Sequence, residues 1–180
     1  MPKYSLIGLS GSLRANSANT KLLSEAARLF EAEEFTLADL RLPLYDGDLE
    51  SKDGVPEAVQ ALSESILRAD AVVISTPEYN KAPSGVLKNA LDWISRTKAK
   101  PWNGKPLAVM SASAGRSGGE RAQMVLRGYM VPFRPCILQG PEIHLADCNN
   151  QFDERGHLKG EIYIRELTTL MKALREEIER

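Results

Sequence analysis

Ala71-Val-Val-Ile-Ser-Thr76, closed by Pro77, is the stretch on which the fold turns. Its apolar residues stand on consecutive positions and are mostly β-branched. A strand of that kind is buried on both faces, as a central strand of a parallel sheet is. Working outward, Pro56 opens a helix that runs to about Ala69, with Leu62, Ile66 and Ala69 on one face. On the other side Val86 to Arg96 reads as a helix, with Leu87, Leu91 and Ile94 aligned. Farther out lie a strand over 4–10, a helix over 20–32 starting after Asn19, and a weak strand over 34–37. Downstream follow a strand over 105–113, a helix over 119–130, a short strand over 136–138 and a closing helix over 162–178. Alternation of this kind predicts an α/β fold, a doubly wound parallel sheet covered on both faces. The 180 residues are expected to form one domain over 1–180.

Composition narrows the function. Lys and Arg number 23 against 24 Asp and Glu, for a net charge of -1, which gives no support to a nucleic-acid or membrane-surface partner. Cys136 and Cys148 are too few for a disulfide framework and lack metal-ligand spacing. His144 and His157 show no partner spacing for a metal, and Asp46, Asp48 and Asp53 lack the EF-hand ligand pattern. Asp39, Asp92 and Asp147 stand in no Ser/His arrangement of the hydrolase kind. The opening residues hold no apolar run of signal-peptide length, and no run of about 18 apolar residues occurs anywhere. The expectation is a cytoplasmic protein with no metal, no membrane and no nucleic acid.

Right-handed crossovers place the loops after the strands on one edge, where sheets of this class bind ligands. Three such loops are polar or glycine-rich. Ser10-Gly-Ser-Leu-Arg-Ala-Asn-Ser-Ala-Asn-Thr20 ends at a helix N-terminus and is dense in donors, with Ser10, Ser12, Arg14, Ser17, Asn19 and Thr20. Free N–H groups and the helix dipole favour an anion there, and a phosphate monoester fits in size and charge. The loop lacks GxGxxG and GxxxxGK[ST], which points to a mononucleotide rather than a dinucleotide or a triphosphate. A solvated loop with an ordinary helix cap is the competing account. Thr76-Pro-Glu-Tyr-Asn-Lys-Ala-Pro-Ser-Gly85 is a rigid turn whose backbone groups suit the edge of a planar heterocycle, or it is simply structural. Ser111-Ala-Ser-Ala-Gly-Arg-Ser-Gly-Gly119 allows close backbone approach to a ligand, or is a flexible link.

Gly11-Ser-Leu-Arg-x-x-Ser-x-Asn19, Pro77-Glu-Tyr-Asn80, Gly85-x-Leu-Lys-Asn-Ala-Leu-Asp-Trp93 and Gly104-Lys-Pro106 together resemble the NADPH-dependent FMN reductase family, whose flavodoxin-like members include chromate, quinone and azo-dye reductases. The resemblance implies a flavodoxin-like five-stranded sheet in the order 2-1-3-4-5. It implies an FMN-dependent NAD(P)H oxidoreductase, with NADPH or NADH as donor and a small quinone, flavin, azo dye or metal oxyanion as acceptor. By the same resemblance Ser12, Arg14, Ser17 and Asn19 hold the FMN phosphate, with Ser10 and Thr20 as neighbours. Pro77, Glu78, Tyr79 and Asn80 lie along the flavin ring, and Ser111, Ser113 and Gly115 lie near the ribityl chain and ring. No side chain need act as nucleophile or base, since the flavin carries the chemistry. A ping-pong cycle in one pocket and a homodimer, or a homotetramer, are further implications. An FMN-binding electron carrier is the alternative, against which the near-neutral charge and Arg14 speak. A binding module that has lost the cofactor is a third reading, which the intact first two loops oppose.

The chain departs from the family pattern at Pro83-Ser84-Gly85, where the proline sits one residue early. Lys81 and Arg116 stand where relatives carry aromatic or aliphatic residues, and would favour anionic acceptors or the NADPH 2′-phosphate. Arg121 and Glu142 match a pair that joins subunits in tetrameric relatives, with Met124 in place of the accompanying aromatic.

Overall fold

The computed structural model describes residues 3–180. Its centre is the stretch quoted above: β3 (Ala71–Thr76) is buried at every residue. It pairs in parallel with β1 (Ser5–Ser10) on one side and β4 (Pro106–Ala112) on the other. β2 (Glu34–Ala38) lies outside β1, and β5 (Cys136–Ile137) lies outside β4, so the order is β2-β1-β3-β4-β5.

Alternation along β3 sends Val72 and Ile74 to one face, where Ile7, Leu9, Leu107 and Val109 join them. α3 (Glu57–Arg68), α4 (Gly85–Ser95) and α5 (Glu120–Met130) cover that face through residues such as Ile66, Leu91 and Leu126. Ala71 and Val73 turn the other way, into a core with Leu6, Met110, Leu22 and Phe30. α1 (Ala18–Phe30) and α6 (Glu161–Ile178) close that side. Each fully buried Val, Ile or Leu contributes about 1.5–3 kcal/mol, so β3 anchors both cores at once.

The structure refines the sequence reading in three places. The fifth strand is split: β5 pairs with the start of β4, whereas β6 (Ile143–Leu145) pairs with its end. Pro141 in the intervening segment has no N–H to offer a ladder, which is consistent with pairing stopping between the two. A helix without a counterpart among the expected elements, α2 (Gly47–Asp53), forms in the acidic segment after β2, with Asp46 accepting from the Asp48 N–H at 2.9 Å. α1 starts at Ala18, two residues ahead of the periodicity, and thereby places Asn19 inside its first turn. Among the described residues no helix is long and apolar enough to cross a membrane, and no group of three or more His, Cys, Asp or Glu is placed to hold a metal ion.

Candidate functional site

All three loops leave the C-terminal ends of β1, β3 and β4, which are neighbours in the sheet, so they meet at one edge. Gly11 is where the first loop meets the second. Its N–H donates to the Ser75 carbonyl at 2.8 Å. A Cβ there would stand 3.0 Å from Pro77 Cδ, 3.0 Å from Ser84 Oγ and 3.1 Å from Thr76 Oγ1, so glycine permits the approach.

Within the first loop the hydroxyls are internally ordered. Thr20 Oγ1 donates to Ser10 Oγ at 3.0 Å, and Ser10 Oγ donates to the Ser12 carbonyl at 3.2 Å. Ser17 is the N-cap of α1 and accepts from the Thr20 N–H at 3.2 Å. The N–H groups of Ala18 and Asn19, in the first turn of that helix, have no intrahelical acceptor. Asn19 is buried and its amide is spent inside the protein. Its Oδ1 accepts from Ser75 Oγ at 2.8 Å and from the Ala112 N–H at 3.1 Å, and its Nδ2 donates to the Ala112 carbonyl at 3.1 Å. The amide side chain is therefore a strut joining α1 to the ends of β3 and β4.

Ser12 and the exposed Arg14 line a cleft of about 320 Å³ that also includes Ser10 and Thr20. Its far wall is Asp39 and Arg41, from the exit of β2, which the sequence reading did not place here. Arg41 pairs with Asp39 at 3.1 Å and donates to the Leu13 carbonyl at 3.4 Å. Only the pairing of β2 with β1 brings them beside the loop, and the sheet order was the one available signal for it. A larger cavity of about 580 Å³ lies elsewhere, walled by Leu91, Ile94, Trp102, Tyr129 and Phe133. It contains none of the loop residues named from the sequence, and its walls are the ends of α4 and α5 and the approach to β4.

The second loop closes on itself. Tyr79 and Ala82 exchange backbone hydrogen bonds of 2.9 and 3.1 Å around Asn80 and Lys81, both at positive φ (51° and 66°). That is the geometry of a two-residue hairpin turn. Pro77 is buried, whereas Tyr79 is 52% exposed and flanks the edge. Ser84 caps α4 by accepting from the Leu87 N–H at 3.3 Å, which gives the displaced Pro83-Ser84-Gly85 order a local purpose. The Glu78 carboxylate turns away from the hairpin: Oε2 accepts from the Ala122 N–H at 3.2 Å, in the first turn of α5.

In the third loop Ser111 is buried and engaged on two sides. It donates to the Gly118 carbonyl at 2.7 Å and accepts from Gln123 Nε2 at 2.9 Å. Gln123, fully buried and also bonded to the Ile143 carbonyl at 2.7 Å, is a site residue the sequence reading missed, because its role depends on how α5 docks. Ser113 and Gly115 lie nearer the surface. The Ser113 carbonyl accepts from the Cys148 N–H at 3.1 Å, and that of Gly115 from the Asp147 N–H at 3.4 Å, so the segment after β6 braces this loop. Burial pushes the Cys148 thiol pKa up. Arg116 and Lys81 are both exposed, at the tips of their loops.

The edge thus offers a helix N-terminus, a hydroxyl, a guanidinium and two close backbone turns. Such a donor set, beside a cleft of phosphate-and-sugar dimensions, suits a ligand with a phosphate at one end and a planar ring at the other.

Comparison with known proteins identifies the family. The family model described as NADPH-dependent FMN reductase matches residues 4–149. An NAD(P)H-dependent FMN reductase of Pseudomonas aeruginosa is 44% identical over 155 residues, covering 85% of this chain and 83% of that protein. A quinone reductase of Escherichia coli strain K12 is 36% identical over 184 aligned residues, covering 99% of this chain and 97% of that protein. Among solved structures, the flavoenzyme NAD(P)H:(acceptor) oxidoreductase FerB of Paracoccus denitrificans superposes with a TM-score of 0.87 at 32% identity, covering 98% of this chain and 97% of that one. A flavodoxin from the domain Archaea, at 10% identity and a TM-score of 0.65, shares the fold.

Proposed function

The chain belongs to the NADPH-dependent FMN reductase family and is an oxidoreductase; from that premise we propose that it binds FMN at the edge formed by its three loops and passes electrons from NAD(P)H to a small acceptor of the quinone class. The observation that carries the reading is the first loop, which ends at the N-terminus of α1 and whose Ser12 hydroxyl and exposed Arg14 line one cleft. These groups would hold the phosphate, while Ser10, Ser17 and Thr20 keep the loop in shape and Asn19 holds it against β3 and β4. Pro77 to Asn80 would line the ring edge with backbone groups, and Ser113 and Gly115 would face it from the third loop. Bound FMN supplies an atom, N5, that accepts a hydride and later gives up the electrons. The protein's part would be to leave one face of the bound ring accessible beside the exposed Tyr79, so that donor and acceptor meet it in turn. Lys81 and Arg116 would meet a phosphate-bearing donor or an anionic acceptor at the mouth. The resemblance also supports a homodimer as the working assembly, which light scattering in solution checks.

The test is the visible spectrum of the purified protein before and after anaerobic NADPH or NADH. A yellow protein that bleaches on mixing is the expected result. Bleaching by dithionite alone would make it an electron carrier, and a colourless protein that takes up no added FMN would overturn the assignment. Initial-rate lines that run parallel across donor concentrations are expected for the shared pocket, and intersecting lines would refute it.

A further inference from the structure

We infer that Glu78 is a positioning residue, whose carboxylate caps α5 from the second loop and so sets the spacing between the two loops that face the flavin ring. The inference rests on the placement of FMN proposed above. The reason is steric. α5 begins after Gly119, which has no side chain to cap it and sits at a φ of 94°. A side chain at 119 is excluded, because a Cβ there would stand 2.7 Å from Ser111 Cβ and 2.9 Å from Ser111 Oγ. The usual capping Ser, Asp or Asn therefore cannot occupy this position, although the first-turn N–H groups still need acceptors. Counting from Gly119, Ala122 is the third helical residue, one of the two whose N–H an N-cap side chain normally takes. Glu78 Oε2 supplies that acceptor at 3.2 Å from a loop 44 residues away in sequence.

Two consequences follow from this substitution of a distant cap for a local one. The second and third loops become one unit, since Glu78 holds α5 while Ser111 holds Gly118 at the same helix end. The carboxylate charge is also directed to the positive end of α5 and away from the hairpin that would face the ring. A free carboxylate beside the ring would oppose the negative charge that reduction brings.

Glu78→Ala removes the acceptor, while Glu78→Gln keeps a carbonyl oxygen of the same reach. The first readout is amide hydrogen exchange over residues 119–123 in protein stripped of flavin. The second is FMN affinity, together with kcat and KM for NADPH. In Glu78→Ala, exchange in the first turn of α5 should speed about five- to tenfold, the factor expected of one lost cap. FMN affinity should fall by about the same factor, and Glu78→Gln should restore both toward the parent. An alanine variant that binds FMN as the parent does overturns the positioning role. So does a glutamine variant that keeps normal exchange yet binds FMN as poorly as alanine, since the carboxylate would then act on the ring itself. A parent protein that binds no FMN would defeat the proposed function, whereas the exchange measurement would still report on the cap.

Discussion

α1 and α5 both start at the same sheet edge, each following a loop named from the sequence, yet their N-termini are built differently. α1 carries its own cap in Ser17, and the loop leading into it lines a cleft through Ser12 and Arg14. α5 starts on a glycine pressed against Ser111 and takes its cap from Glu78. A helix end whose charge is already answered by a carboxylate is a poor place for a phosphate; one left facing hydroxyls and a guanidinium is a good one. The difference thus separates an end that the proposed function gives to a ligand from an end used as a joint.

The joint is broken most severely at Gly118. Its φ is 59°, and a Cβ would lie 2.3 Å from the His144 carbonyl oxygen, a backbone atom. Gly118→Ala should destabilise the protein by roughly 3 kcal/mol or more, read by urea denaturation. Asn19→Ala comes next, because it strands the Ser75 hydroxyl and the Ala112 N–H inside the protein. A loss of roughly 2–4 kcal/mol is expected, accompanied by weaker FMN binding. A variant that loses FMN with unchanged stability would show instead that the amide touches the phosphate.

Arg14→Ala sharpens the comparison from the ligand end. It should weaken FMN by roughly 10- to 100-fold while leaving the denaturation midpoint nearly unchanged, since the side chain is exposed. Titration calorimetry with FMN measures the first, and the same denaturation curve the second.

Farther along α1, Glu25 sets an acid limit. Burial alone would raise its pKa, but hydrogen bonds from Arg28, from His157 and from the Leu158 N–H outweigh it and hold the carboxyl below the ordinary value. A carboxyl held low in the folded state contributes stability that is present above its unfolded pKa and lost as pH falls through the folded one. Stability should therefore fall as pH drops below about 4.5, the ordinary glutamate value. In Glu25→Gln that acid-side slope should flatten, as denaturation midpoints at stepped pH would reveal. Smallest is Lys81→Ala at the exposed hairpin tip, which should raise the KM for NADPH a few-fold and leave that for NADH alone, as one exposed charge of up to about 1 kcal/mol allows. Equal constants for both donors in parent and variant would remove Lys81 from donor selection.

Much of this was legible in the chain. The β-branched run at 71–76 announced a central strand, and the alternation around it implied the layers, because burial on two faces leaves an unmistakable local pattern. The donors of the first loop and its place before a helix pointed to it as the candidate anion site that the proposal rests on. Side-chain employment was less legible. Asn19, Glu78 and Ser111 look like ligand groups in the sequence, and each bonds to the protein's own backbone, Asn19 and Glu78 across long stretches of chain and Ser111 within its loop. Asp39 and Arg41 gave no sign of the cleft they wall, and the split of the last strand around Pro141 could not be read from its short apolar run.

The sequence by itself determined most of the elements, the order of the sheet and which edge gathers the polar loops, since hydrophobic periodicity and turn residues act over a few positions. Only the tertiary structure decided which polar groups remain for a ligand. A hydrogen bond goes to whichever partner the fold brings within about 3 Å, and for Asn19 and Glu78 that partner lies 93 and 44 residues away.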